Sequence, residues 1–263
     1  MPPIVLAAAL LLLPVEAPPL PEGNAYVRGL TEKQRHREEL LDLYTYDTVE
    51  VREELDDRGS VKERRQRRYE TFFVLGRPLR RLVEEDGRPL SPERQAREDA
   101  AARALAEAVR SGRAVVERPG VRLSAVLGRY DFQAVGREER AGRTAVVLEF
   151  RPRAGERPLE NDRLLRQVQG RLWVDEQEAE VVRAEIANIA PIKLGLGLKA
   201  SVTSLSTRLE FRKVDDAVWL PAEDETVVAG RVMLFKKFRT RVRRTYSSYR
   251  KFSVEAEEKA SPS

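Results

Sequence analysis

A chain of 263 residues is long enough to bury a real core, as one large all-β domain or two small ones. Apolar residues at 41% and charged residues at 35% suit a globular protein with a heavily charged surface; 43 acidic residues interspersed with 48 basic ones allow an anionic partner without requiring it. The chain has no cysteine, which excludes thiol chemistry, Fe–S clusters and the acylated cysteine of a bacterial lipoprotein.

In chain order, "IVLAAALLLLPVEA" (4–17) has the outline of a secretory signal peptide, an apolar core closing on Ala17. It is shorter than the roughly 20 apolar residues of a transmembrane helix. Residues 1–17 are therefore expected to be a leader, and export to a periplasm is the expected fate. After a Pro-rich stretch, Thr31 to Leu43 is expected to form a short helix, with Thr31 and Gln34 as a capping box. Strands are expected at about 45–55 and 61–75 around the turn "DDRGS", then a short strand before the Asp86-Gly87 turn. A helix is expected over about 91–111, with Ser91 as N-cap, Pro92 at the first helical position and Gly112 as the stop.

From residue 129 the pattern is strand after strand. Residues 129–152 form a hairpin about Glu138–Gly142, and 169–186 a second about Asp175–Glu178. Runs at 198–214, 218–230 and about 232–253 follow, and 255–263 is expected to be a frayed tail. No fixed repeat or linker divides the chain, so 24–254 is expected to be one α+β domain, mainly antiparallel β, with two or three helices inserted early. The apolar segment 189–201, with Pro191, Gly195 and Gly197, is a poor strand. It suits either a lip at a cavity mouth or a buried crossing loop.

Catalytic patterns are scarce. His36 is the single histidine and sits among charges on the first expected helix. The phosphate-binding glycine motifs and the nucleophile elbow do not occur, and the carboxylate clusters lie near charged turns. An enzyme is not expected, nor a metal or cofactor. Export and evenly mixed charge argue against nucleic acid.

The run "GRLWVDEQEAEVVRAEI", followed by "FRKVDDAVWLPAEDETVV", resembles the outer-membrane lipoprotein-sorting family, the LolA-like carriers. "YDFQAVGREERAGRTAVVLEFRP" looks like that family's hairpin, and the likeness covers about 129–252. It implies an incomplete, half-barrel antiparallel sheet whose concave apolar face is covered by a few helices and holds lipid or lipoprotein acyl chains. On strand parity, Phe132, Leu148, Phe150, Leu172, Val174, Val182, Ile186, Leu209, Phe211, Phe238 and Val242 are expected to share that face. Ordinary core packing is the other account of the same residues.

Two further features stand out in 235–252. Lys237, Arg239, Arg241 and Arg243 form a basic ladder, either a solvated face or a docking surface for anionic headgroups or an acidic partner. Arg244 shares parity with the apolar residues. It is expected either to meet buried acceptors, as a latch or headgroup contact, or to be swung outside by a bulge. The sequence thus points to an exported monomeric carrier of acyl chains, with an inner- or outer-membrane protein as a further partner. The alternative is an envelope sensor or interaction module on the same scaffold.

Overall fold

The structure, a computed structural model, describes residues 18–41, 43–113, 123–140, 142–155, 165–194, 200–232 and 236–251. The expected leader at 1–17, Gly195, Gly197, Phe252 and the expected tail lie outside the described residues. The chain begins with helix α1 (Gly23–Leu41), followed by strands β1 (Tyr44–Leu55), β2 (Val61–Val74), β3 (Arg77–Glu85) and the two-residue β4 (Arg88–Pro89). Helix α2 (Pro92–Arg110) and the single turn α3 (Leu123–Val126) lead into β5 (Tyr130–Arg140) and β6 (Arg143–Pro152). Then come β7 (Val168–Asp175), β8 (Glu180–Asn188), the short β9 (Ile192–Leu194), β10 (Ala200–Val214), β11 (Val218–Val232) and β12 (Lys236–Lys251).

All strands join one antiparallel sheet in the order β4-β3-β2-β1-β12-β11-β10-β8-β7-β6-β5, with β9 beside β10. Most neighbours are successive in sequence, because a tight turn brings the second strand back beside the first. Two links are long-range. The last strand closes onto the first, and the connection through α2 carries the chain from one free edge to the other. The edge strands β4 and β5 do not pair, so the sheet is an open half-barrel rather than a closed one. Among the described residues no helix is long and apolar enough to cross a membrane.

Helix α2 follows its capping chemistry: the Ser91 hydroxyl accepts from the Arg94 N–H at 3.3 Å, and Gly112 takes a positive φ of 70°. It packs Ala106 and Val109 against Val74 and Leu79, while Leu105 faces solvent. Helix α1 differs from expectation. It starts eight residues earlier, at Gly23, so Thr31 is inside it and its hydroxyl bonds the Val27 carbonyl at 3.1 Å. Gln34, expected in a capping box, is fully buried instead. The stripe Val27, Leu30, Gln34 and Arg37 recurs every three or four residues and is the face laid on the sheet.

The β7–β8 turn is held by Asp175, whose carboxylate accepts the N–H groups of Gln177 (3.1 Å) and Glu178 (2.7 Å) and the Arg143 Nε (2.5 Å). The Arg143 guanidinium holds the Asp175 carboxyl below its usual range, helped by the backbone donors and opposed by burial. A depressed folded-state value adds stability above the unfolded value of about 3.9, and that stability is lost as pH falls through the folded value. Thermal melting should therefore drop between about pH 4 and pH 2, and Asp175→Asn should flatten that part of the profile. An identical acid profile in the variant would refute the assignment.

Candidate functional site

Side chains directly opposite in an antiparallel ladder share a face, so the strand registers define the surface that α1 covers. Under α1 and the adjoining turn, Val146, Leu148, Leu172, Val174 and Val181 have 0–2% exposure and pack with Val27 and Leu30. Phe132 and Phe150 are buried in the same cluster, their ring centroids 5.9 Å apart, and Ile186, Leu209 and Phe211 are partly buried beside it. These eight expected cavity residues from β5 to β10 are thus brought together in or against one cluster with Val27 and Leu30 of the helix.

Val182 is not among them. The β7–β8 ladder pairs Leu172 with Ala184, Trp173 with Arg183 and Val174 with Val181, leaving Val182 as the extra residue of a bulge. The bulge reverses parity, so Val181 and Ala184 face α1 while Val182 joins Ala145, Val147, Trp173 and Trp219 on the opposite face. That outer cluster explains the tryptophan among polar neighbours. The Trp173 ring is roofed by the Arg183 and Arg140 guanidiniums at 5.0 and 5.5 Å, and its N–H donates to Glu138 at 2.7 Å.

Farther along, the α1-facing side continues through Leu205, Thr207 and Leu209 of β10 to Asp224, Thr226 and Val228 of β11. It then crosses Phe238, Val242, Arg244 and Tyr246 of β12 to Thr48 and Glu50 of β1. Helix α1 covers one end of this surface, where Leu40 and Leu41 pack with Tyr44, Val218, Leu220 and Tyr249. At the other end Val228, Phe238 and Val242 are only partly buried. The Phe238 ring lies against Gly230: a Cβ there would come within 2.8 Å of the ring and run into the Ser201 carbonyl, so a glycine is required.

Between the covered and open ends sits a polar cluster. Arg244 shows no bulge and meets Glu50 at 2.8 Å and Asp224 at 3.1 Å, while the Tyr246 hydroxyl donates to Asp224 at 2.6 Å. Burial opposes the Arg244 charge, yet its two carboxylates hold it above the usual arginine range. Burial, then Asp224, pushes the Tyr246 phenol well up, so it stays a donor. The acceptors of Arg244 are on neighbouring strands rather than on a helix.

The polar tie to the helix is one that strand parity did not reveal. Arg37 is 6% exposed, lies 4.3 Å over the Phe211 ring and donates to the Val181 carbonyl at 2.7 Å. It also bonds Gln34, which donates to Glu180 at 3.1 Å. Burial lowers Arg37 to about 10 and raises Glu180. The three- and four-residue spacing from Val27 to Arg37 was the available signal.

The basic ladder lies on the opposite side of β12 and is divided. Arg241 pairs with Glu53 at 3.0 Å and Arg243 with Glu225 at 2.7 Å, so those two charges are matched. Lys237 and Arg239 instead line a groove beside the β1–β2 turn.

No family model and no curated protein matches the chain. Solved structures similar to it include a LolA superfamily protein, a lipoprotein-sorting domain and a DUF1329 family protein. A LolA superfamily protein from Nitrosomonas europaea is 12% identical, with 88% of this chain and 96% of that one covered and a TM-score of 0.38. A domain assigned to the outer membrane lipoprotein-sorting proteins of Vibrio parahaemolyticus is 13% identical over 84% of this chain and 90% of that one, with a TM-score of 0.38. A DUF1329 family protein from Desulfovibrio piger is 14% identical over 90% of this chain and 95% of that one, with a TM-score of 0.40.

Proposed function

We propose that this protein is an exported, non-catalytic carrier that holds an acyl chain of a lipid or lipoprotein on the open part of its α1-facing sheet surface. The observation that carries the reading is the unequal cover of that surface. The β5–β8 part is sealed by α1, whereas Val228, Phe238 and Val242 stay partly exposed beside it. Val228 and Val242 lie in the interior of the β10–β11–β12–β1 ladder, whose backbone groups already pair, while Phe238 lies just past the end of the β1 pairing. A peptide cannot add at Val228 or Val242 as a further strand. The strip instead suits a narrow, flexible apolar chain that asks for contact area and no hydrogen bonds. Export is the part of the proposal that rests on the leader.

Native mass spectrometry of protein purified from the cell envelope tests both parts, since its mass reports the loss of residues 1–17 and any co-purifying lipid. A fluorescent fatty-acid displacement titration adds the site. Val242→Asp should fold and lose most of the binding, because a carboxylate on a partly open strip stays hydrated while repelling the chain. A correctly folded wild type without saturable binding would favour the interaction-module alternative, and equal binding by the variant would move the chain elsewhere.

A further inference from the structure

We propose that the groove where β1 leaves β12 binds the phosphate of an anionic lipid headgroup, an assignment that rests on the acyl-chain reading above. The β1–β12 ladder ends at Glu54 opposite Thr240, and β1 then turns away through Asp56–Ser60. Lys236 to Arg239 run on with β11 as their ladder partner. The gap between this run and the turn is a groove of about 390 Å³. Four cations line it: Arg58, Lys62, Lys237 and Arg239. Two carboxylates oppose them, and they are partly engaged. Asp56 Oδ1 accepts the N–H groups of Arg58 and Ser60 at 2.9 and 2.8 Å, which shapes the turn. Asp57 lies 3.4 Å from Lys237 in an exposed pair, weakly held in water.

The groove therefore carries a surplus of two positive charges, from two guanidiniums and two ammoniums on converging segments. Guanidinium forks and lysine point charges together match the several oxygens of a phosphate. The apolar part of the lining is Leu55 and Phe238. Lys237 and Arg239 leave β12 on the face opposite Val242, but Phe238 lines the groove and also begins the open strip, so a lipid with its phosphate in the groove would reach the strip past Phe238, where β1 no longer pairs with β12. Arg241 and Arg243, farther along the same strand, are matched by Glu53 and Glu225 and do not extend the site.

The test uses the full chain with vesicles of dioleoylphosphatidylcholine, alone or mixed with dioleoylphosphatidic acid. The wild type should bind the anionic vesicles about tenfold more tightly or better. Lys62→Gln with Arg239→Gln should abolish that preference, and Arg243→Gln should keep it. Soluble dihexanoylphosphatidic acid should compete well below the concentration at which inorganic phosphate does. Equal binding to both vesicles, or an unchanged preference in the double variant, would overturn the groove assignment. Competition by inorganic phosphate at the same concentration would overturn the lipid part in favour of a free-phosphate site. Fatty-acid displacement on the same double variant separates the two proposals: retained uptake keeps the acyl strip whatever the groove does, and a wild type without uptake removes the strip while vesicle preference still reports the groove.

Discussion

Leu172→Ala should destabilise the protein by about 2–5 kcal/mol without changing the lipid affinity of the molecules that remain folded. Leu172 is 2% exposed and packs among residues such as Leu148 and Val174, which have no exposure at all. A truncation there leaves a cavity that the strands and α1 can refill only in part. Leu172→Asp should yield no folded protein, since a carboxylate in that buried cluster loses its water. Val242→Ala, in the partly buried strip, should cost no more than about 1 kcal/mol and should weaken acyl binding instead. Urea denaturation and a lipid titration on the same samples read both effects. A cost at Val242 as large as that at Leu172 would mean that the strip is sealed core too, and the carrier reading would lose its site.

Arg37→Ala should cost about 3–5 kcal/mol, because it strands the groups that the guanidinium joins. The Val181 carbonyl and buried Gln34 lose a donor, Phe211 loses the cation above its ring, and Glu180 loses the charge 3.5 Å away. Arg37→Met combined with Gln34→Met and Glu180→Leu should recover most of the loss, since replacing all three joined side chains by apolar groups leaves only the Val181 carbonyl short of a donor. The pH dependence gives a separate check. Burial raises Glu180, and with Arg37 gone nothing nearby offsets that rise as strongly. A carboxyl with a raised folded-state value binds more protons folded than unfolded, so its stability contribution falls as pH climbs above the unfolded value of about 4.3. The single variant should therefore melt progressively lower from about pH 4.5 to pH 7, relative to wild type. A loss below about 1 kcal/mol with no such trend would place the cluster in contact with water and make it dispensable for seating α1.

Several features of the fold were legible in the sequence for local reasons. The turns at Asp56–Ser60 and Asp175–Glu178 carry aspartates that cap the chain reversal through their own side chains, the Asp86-Gly87 turn takes positive φ at both residues, and each lies where a hairpin forms. Helix α2 has its serine cap, first-turn proline and terminal glycine within its own segment. The start of α1 was not legible in the same way. Gly23 is a poor helix former, and it is accepted at the start because the Phe132 carbonyl lies against its Cα, with Asn24 accepting the Phe132 N–H at 2.8 Å. Both partners are more than a hundred residues away.

The candidate site divides along the same line. The alternation of side chains along one strand determined, without any structure, that Leu148 shares a face with Phe150, Leu172 with Val174, and Phe238 with Val242, because that period is a property of the backbone. It also determined that the basic ladder of β12 lies opposite those apolar residues. Alternation cannot register a bulge, which arises when two residues of one strand must face one of its neighbour. Only the β7–β8 pairing therefore decided that Val182 turns away from Val181 and Ala184. Nor does a strand carry any record of what will lie upon it. Only the docking of α1, through Val27, Leu30 and Arg37, decided that the β5–β8 face is sealed while Val228, Phe238 and Val242 stay partly open, because burial depends on contacts between segments far apart in the chain.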